Sequence, residues 1–163
     1  MERLTRFAIF IISILILGCG YKMGTIIPSG TVAVITFDNK TLYRQYEFFL
    51  TQALMSEISM RTSLKTSDVS NSDTILSGTI VQISANTIRK NEQREATELD
   101  ITVSVEINWK DTRTGQFIVR NNSLSETTQI ISNRGENFDN SIVQSLRKLA
   151  RSIVYAMEQS YWQ

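Results

Sequence analysis

The chain has 163 residues, a formal net charge of +1, a single cysteine and no histidine. Its length indicates one domain that is large enough for a single hydrophobic core. The lack of histidine excludes His-based catalytic triads and zincin-type metal sites, and the near-neutral charge disfavours a nucleic-acid partner, which would need a strongly basic face.

The amino terminus has the three parts of a bacterial lipoprotein signal peptide. Arg3 and Arg6 precede an apolar run over residues 7–17, and small Gly18 then stands before Cys19. The run is too short to cross a ~30 Å hydrocarbon core. We therefore predict that residues 1–18 are removed and that Cys19 carries a diacylglyceryl group and an N-linked acyl chain such as palmitate. The alternative is an ordinary signal peptide or buried anchor helix in which Cys19 is coincidental.

Residues 19–30 are predicted to be a lipidated tether. They contain three of the seven glycines and the only proline, with no hydrophobic periodicity. Removal of residues 1–18 leaves a mature chain without net charge. Gly20 stands where an aspartate would favour retention on the inner membrane, so we expect the outer membrane. Acylation uses the only thiol, which excludes a disulfide or a thiolate metal site. We expect no cofactor.

The first half of the mature chain predicts a strand, a helix and a strand. Residues 31–37 are short, β-branched and largely apolar, which suits a strand buried on both faces. Thr41 is predicted to be the N-cap of a helix over about residues 42–61. Residues 74–84 predict a central strand in which Gly78 allows a close backbone approach. The predicted apolar stripe of the helix consists of Tyr46, Phe49, Leu50, Ala53, Leu54 and Ile58.

The second half predicts a hairpin followed by a helix. Apolar and polar residues alternate over residues 99–110, which indicates a long strand with one buried face. Residues 111–116 are predicted to form a turn, so the strand that begins at Phe117 must pair antiparallel with the strand over residues 99–110. Its inward pattern fails after Val119, which predicts a bulge near Asn121 or a strand that leaves the core. A last helix over about residues 137–159 presents Ile142, Leu146, Leu149, Ala150, Ile153 and Met157 on one stripe.

The predicted element order is β-α-β-β-β-α over a single domain of residues 31–163. Two amphipathic helices and a sheet with one polar face fit an α/β (α+β) two-layer sandwich. We expect a four-stranded mixed sheet with both helices on one face and the other face open. Folds of this class host many functions, so the fold alone does not identify one.

Several short strings resemble one family in their order and spacing. They are Cys19-Gly20-Tyr21, Phe37-Asp38-Asn39-Lys40-Thr41, residues 46–54, residues 73–80, residues 109–115 and the closing helix. Together they resemble the LptE family of lipopolysaccharide-assembly lipoproteins over essentially the whole mature chain. The resemblance implies two helices on a four-stranded sheet and a place inside or beneath the outer-membrane β-barrel LptD. There the protein would assist barrel assembly, plug the lumen and bind lipopolysaccharide on its way to the outer leaflet. The basic positions that the family uses for glycolipid binding match no clear motif here.

A candidate glycolipid site comes from the residues themselves. The segment from Ala85 to Thr97 is predicted to be a loop, and it carries cations of the kind that bind phosphorylated head groups. Glutamates between the cations make this stretch neutral, so a solvated loop is the simpler interpretation. The candidate lipopolysaccharide-binding residues are Arg89, Lys90 and Arg94, and the interspersed acids are Glu92, Glu95 and Glu98.

The open sheet face is the candidate partner surface. Its predicted residues Asp100, Thr102, Ser104, Glu106 and Asn108 could hydrogen-bond to a hydrated barrel lumen, although simple solvent exposure would explain them too. Two other classes of function remain open. One is a lipid-anchored, pilotin-like accessory protein of another envelope or secretion machine. The other is a carboxylate-only hydrolase, which the spacing of the acidic residues does not support; we therefore expect no enzymatic activity.

Replacing Cys19 tests the predicted anchor. Cys19→Ala removes the thiol that would receive the diacylglyceryl group, so we expect an unlipidated chain, whereas intact-mass analysis of the wild type should show two or three acyl chains. A wild-type protein without acyl mass would contradict the prediction.

Overall fold

The computed structural model describes residues 30–90, 92, 96–131 and 137–160. Residues 1–29, which include the predicted signal peptide and Cys19, lie outside this part of the chain. Among the described helices, none is both long enough and apolar enough to cross a membrane.

Two helices and six strands make up the domain. The helices are α1, Tyr46–Arg61, and α2, Phe138–Ser160. A short 3-10 helix covers Val69–Asn71. The strands are β1, Thr31–Val34; β2, Asp38–Asn39; β3, Lys65–Thr66; β4, Thr74–Lys90; β5, Ala96–Asp111; and β6, Phe117–Ile131.

The strands form one mixed sheet in the order β3-β1-β4-β5-β6. β2 follows β1 along the same edge of β4 and pairs with β4 in parallel. β1 is parallel to both β3 and β4, because α1 carries the chain back between β1 and β4. β4, β5 and β6 form an antiparallel meander. The predicted α+β class, mixed sheet and helix order are confirmed, but the sheet has six strands instead of four. The two extra strands have only two residues each, too few for a periodic sequence signal.

The hydrophobic core lies between the helices and one face of the sheet. The predicted inward residues of β5 are completely buried from Ile101 to Trp109. The predicted stripe of α2 is also buried, and α1 contributes Tyr46, Leu50, Leu54 and Ile58. The predicted stripe of α1 also includes Phe49, but 47% of this residue is exposed, because it faces the groove between α1 and α2.

Bulges explain the strands whose sequence patterns are irregular. In β6, Asn121 has a positive φ of 48° beside a register shift, which confirms the predicted bulge. In β4, the pairing skips Val81, so the inward positions change from Leu76 and Ile80 to Ile83. This shift accounts for apolar residues at both parities of the central strand.

The start of α1 differs from the prediction. Thr41 is not its N-cap, because the Asn39 side chain holds the preceding residues in a turn. Asn39 Oδ1 accepts hydrogen bonds from the Thr41 backbone N–H and hydroxyl, and Asn39 Nδ2 donates to the Tyr43 carbonyl. Gln45 then adopts a left-handed φ of 77°, and the helix begins at Tyr46.

The predicted loop from Ala85 to Thr97 is largely strand. β4 runs to Lys90 and β5 resumes at Ala96, so these residues form the outer part of a long β-hairpin. The prediction was wrong because polar residues here indicate exposure, whereas the backbone pairing continues beyond the helix-covered core. From Ala85 to Lys90 every side chain is exposed.

Gly78 lies where β4 passes under Phe37. A Cβ atom at this position would come within 2.4 Å of Phe37 Cε1 and 2.6 Å of the Glu106 carbonyl oxygen. Phe37 is 2% exposed, so its ring has little room to move. The close approach predicted for Gly78 is confirmed.

Substitution of Gly78 should destabilise the domain. Gly78→Ala forces the Phe37 ring and the β5 backbone apart, and overpacking of this kind costs about 1–3 kcal/mol of unfolding free energy. Denaturant unfolding would measure the loss. Adding Phe37→Leu should recover part of it, and Ser77→Ala on the half-buried neighbour should have little effect. Equal stability of Gly78→Ala and wild type would contradict this packing account.

Candidate functional site

The sheet face opposite the helices is polar across three strands. On β5, Asp100, Thr102, Ser104 and Asn108 are half-buried and Glu106 is exposed, as the alternation predicted. Their cross-strand neighbours are also polar: Asn86, Ser84, Gln82, Thr79 and Ser77 on β4, and Gln129, Thr127, Ser125 and Ser123 on β6. The face therefore presents hydroxyl, amide and carboxylate groups.

Short hydrogen bonds between β5 and β6 order this face. The Thr102 and Thr127 hydroxyl oxygens are 2.9 Å apart, and the Ser125 hydroxyl donates to the Ser104 oxygen at 2.8 Å. Asn108 Oδ1 accepts from the backbone N–H of Asn121 at 2.9 Å, at the bulge. Each hydroxyl retains capacity for a further hydrogen bond, since it has one donor and two acceptor sites. The face can therefore bind a hydrated polar surface without rearranging its own network.

No arrangement for metal chemistry occurs in the described residues, which contain no group of three or more carboxylate, thiol or imidazole side chains placed to hold an ion. Asp100 and Glu106 are the two carboxylates among the predicted partner-facing residues.

The candidate glycolipid residues lie at the far end of the β4–β5 hairpin. Arg89 pairs directly with Glu98, and its Nη1 donates to Glu98 Oε1 at 2.8 Å. The Arg89 side chain is 71% exposed, so this ion pair lies at the surface and contributes little to stability. Lys90, the last residue of β4, is also exposed. Arg94, the third candidate, lies outside the described residues.

The hairpin tip and the start of the domain lie at opposite ends of the sheet. Val32, near the beginning of β1, pairs with Thr74 at the beginning of β4. β4 then runs through 17 residues to Lys90, which at about 3.3 Å per residue places the tip on the order of 50 Å away. The cations of the hairpin therefore lie far from the point where the predicted tether joins the fold.

Asp73 holds the first strand at that junction. Its Oδ2 accepts hydrogen bonds from the Thr31 backbone N–H and hydroxyl, both at 2.8 Å. The Asp73 backbone N–H in turn donates to the Thr31 hydroxyl at 2.9 Å. The hydrogen bonds that the Asp73 carboxylate accepts lower its pKa below the ordinary value. The bond from the Thr31 backbone N–H has the largest effect, and the bond from the Thr31 hydroxyl comes next.

A groove between the two helices is a surface that the sequence interpretation missed. α1 and α2 are parallel: Tyr46 donates to Asp139 near their starts, and Arg151 donates to Glu57 farther along. The outer groove is lined mainly by Phe49, Gln52, Ala53, Ser56, Met60, Val143 and Arg147. The overlooked signal was that α1 carries large apolar residues on more than one face: Phe48, Phe49, Met55 and Met60.

One family model matches the sequence. It is LptE, described as lipopolysaccharide-assembly, and it covers residues 29–157, which is more than half of the chain. No curated protein sequence matches.

Solved structures of bacterial proteins are similar to the domain in fold. The hypothetical protein CT253 from Chlamydia trachomatis has 12% identity and a TM-score of 0.60, with 82% of this chain and 98% of that chain covered. Protein XCC0632 from Xanthomonas campestris has 8% identity and a TM-score of 0.61, with 85% and 92% covered. A minor lipoprotein from Acinetobacter baumannii has 12% identity and a TM-score of 0.55, with 82% and 95% covered. At these identities the similarity concerns the fold.

The junction at Asp73 should make stability depend on pH. Because the folded-state pKa is lowered, the stabilisation is complete above the unfolded-state pKa and is lost as the pH falls through the folded-state value. Asp73→Asn should lower the melting temperature at about pH 6, and the difference from wild type should shrink by about pH 2. Thr31→Val, which removes one donor, should show part of this effect. A pH-independent difference would contradict the assignment.

Proposed function

The chain belongs to the LptE family of lipopolysaccharide-assembly proteins, and we propose that it is a lipoprotein of the Gram-negative outer membrane that associates with LptD. In this proposal, acyl chains on Cys19 hold it at the periplasmic face. The folded domain plugs the LptD β-barrel, assists its assembly and supports the insertion of lipopolysaccharide into the outer leaflet. No cofactor and no catalytic step enter the proposal.

The observation that supports the plug most strongly is the one-sided sheet. Helices cover one face, while the other presents ordered hydroxyl and amide groups from β4, β5 and β6. The lumen of a large outer-membrane barrel is polar and hydrated. A face that has already satisfied part of its hydrogen bonding can meet such a wall without burying unpaired polar groups.

The lipid anchor and the hairpin have separate roles in the proposal. The tether would hold the beginning of β1 close to the membrane, while the hairpin tip lies on the order of 50 Å along the sheet. Arg89 and Lys90 would contact lipid A phosphates or inner-core sugars at the tip, with Arg94 nearby in sequence. Since the surrounding glutamates weaken any long-range field, the attraction must come from close contact within a Debye length of about 8 Å.

Affinity purification of the full-length chain tests the proposal. The tagged wild-type protein should bring down LptD from detergent-solubilised outer membranes in a one-to-one ratio, with the partner identified by mass spectrometry. Isolation of a secretin instead would favour a pilotin-like accessory protein. Isolation without any barrel would contradict the plug.

Substitutions on the open face should weaken barrel association. Thr102→Arg and Ser104→Trp place a charge or a bulky ring in the middle of the β5–β6 hydroxyl network. An unpaired charge at a buried contact costs enough to lower the co-purified barrel by about tenfold or more. The control is Thr112→Arg in the exposed β5–β6 turn, which should retain wild-type yield.

Circular dichroism should show that all three variants remain folded, because the substituted side chains lie outside the hydrophobic core. If the barrel yield is indifferent to both open-face substitutions, the contact lies on another surface.

Charge reversal at the hairpin should weaken lipopolysaccharide binding. Arg89→Glu combined with Lys90→Glu replaces two donors with carboxylates that repel phosphate, so we expect at least about tenfold weaker binding of purified lipopolysaccharide. Thermal stability and barrel association should not change. The matched control reverses Lys65 and Arg113, two exposed cations near the opposite end of the sheet. Unchanged affinity of the hairpin variant would show that the hairpin has no part in binding.

A further inference from the structure

The outer surface of α1 is unusually apolar for a helix exposed to solvent. Phe48 is 57% exposed, Phe49 is 47% exposed and Met60 is 69% exposed. Isolated exposed apolar residues are common, but large ones that line one continuous groove indicate an interaction site. These side chains border two adjoining cavities of about 310 and 360 Å³ along α1. The larger cavity is the groove between the helices, because Val143 and Arg147 of α2 form its opposite wall, whereas the smaller one, beside Phe48, has no wall from α2.

The carboxylates around the groove accept hydrogen bonds from other residues of the domain. Glu57, which is 8% exposed, accepts from both Arg61 and Arg151 and thereby ties the two helices together. Glu47 accepts from Asn39, and Asp139 accepts from the Tyr46 hydroxyl at 2.7 Å. The carboxylates at this surface therefore already have partners within the domain.

Arg147 differs from the other cations at this surface. Its guanidinium has no ion pair or hydrogen bond among the described residues. It lines the groove and also the adjoining cavity of about 440 Å³ at the start of α2, so it stands where the two meet. A guanidinium offers five donors in a planar fork that matches a carboxylate. Within the described part of the chain, the groove thus combines large apolar side chains with one cation that has no partner.

Polar side chains in the groove favour a polypeptide over a lipid. Gln52 and Ser56 lie among the apolar residues of the groove, and Gln144 lines the adjoining, mainly polar cavity at the start of α2. Peptide groups of a partner can hydrogen-bond to these side chains, whereas an acyl chain would leave them buried and unpaired. Apolar segments that lie in grooves of this kind are a recurrent mode of peptide recognition.

We propose that the groove between α1 and α2 binds an apolar segment of the barrel partner, and that an aspartate or glutamate of this segment pairs with Arg147. This inference rests on the proposed function and adds a second contact, on the side opposite the open sheet face. Because the lumen wall of such a barrel is polar, this apolar segment belongs to a different part of the partner from the wall that meets the open sheet face. The helix-side contact is apolar and specific, while the sheet-side contact is polar.

Site-specific photocrosslinking of the full-length chain in cells tests this proposal. Gln52→p-benzoylphenylalanine places the crosslinker in the groove, and Gln116→p-benzoylphenylalanine in the exposed β5–β6 turn is the matched control. We expect an adduct with the barrel from position 52 and none from position 116. Mass spectrometry of the crosslinked peptide should reveal apolar residues and a carboxylate within about one helical turn of each other.

Charge reversal then tests the pairing. Arg147→Glu should lower the position-52 adduct about tenfold, whereas Arg113→Glu, in the exposed turn, should not. Changing the identified carboxylate of the partner to lysine should restore the adduct with Arg147→Glu. Both arginines are exposed, and an unchanged melting temperature would exclude unfolding as the cause.

Other adducts would overturn the inference. Crosslinks from position 52 to lipid, to a second copy of the chain or to a protein other than the barrel would assign the groove to another occupant. If the wild type captures the barrel but its position-52 adduct is absent or insensitive to Arg147→Glu, only this inference fails. If the wild type captures no barrel, the proposed function fails as well.

Discussion

The fold depends on burial along a single face of β5. This strand lies between β4 and β6 and pairs with both along most of its length. Its residues Ile101, Val103, Val105, Ile107 and Trp109 have no exposed surface, while the residues between them face the open side. Because side chains alternate across a strand, any slip of one residue would move the apolar set into water. Burial of these five side chains therefore fixes the register of the meander and places the hydroxyl groups on the other face.

The helices complete this asymmetry without covering the whole sheet. α2 packs on β6 through a buried hydroxyl pair, Ser145 to Thr128 at 2.8 Å, and through Ser152 to Glu126 at 2.6 Å. Glu57 joins α1 to α2 on the outside. The hairpin extends beyond this layer, so its backbone hydrogen bonds lack a hydrophobic cover. The domain consequently has three chemically distinct exposed regions: a polar sheet face, a charged hairpin and an apolar groove.

The sequence predicts the parts of this fold that rest on periodicity. The alternation in β5 and the apolar stripe of α2 repeat often enough to identify face and length, and the failure of the pattern after Val119 locates the bulge at Asn121. Local side-chain hydrogen bonds defeat the same approach. Asn39 delays the start of α1. Periodicity also fails from Ala85 to Lys90, because a strand that is exposed on both faces has no alternation of buried and exposed residues.

The candidate sites differ in how much of each can be predicted from the sequence alone. The open face can be predicted from alternation, because every second residue of a half-buried strand faces solvent. The Arg89–Glu98 pair and the groove at Arg147 require tertiary information. Arg89 and Glu98 meet only because β4 and β5 form a hairpin. The two helices that form the groove are far apart in the sequence, with most of the strands between them. The excess of apolar residues on α1 was visible, but only the packing of α2 shows which of them stay exposed.

Cysteine accessibility at the open face tests the central claim most directly. Apart from Cys19, whose thiol is acylated in this account, the chain contains no cysteine, so Thr102→Cys introduces a single reactive thiol on the sheet face. We predict that a maleimide labels this thiol rapidly in the purified chain and at least about tenfold more slowly when the chain is bound to the barrel. Thr112→Cys in the β5–β6 turn serves as the reference. Equal labelling of Thr102→Cys in the free and bound chain would contradict the claim that the partner covers the open face.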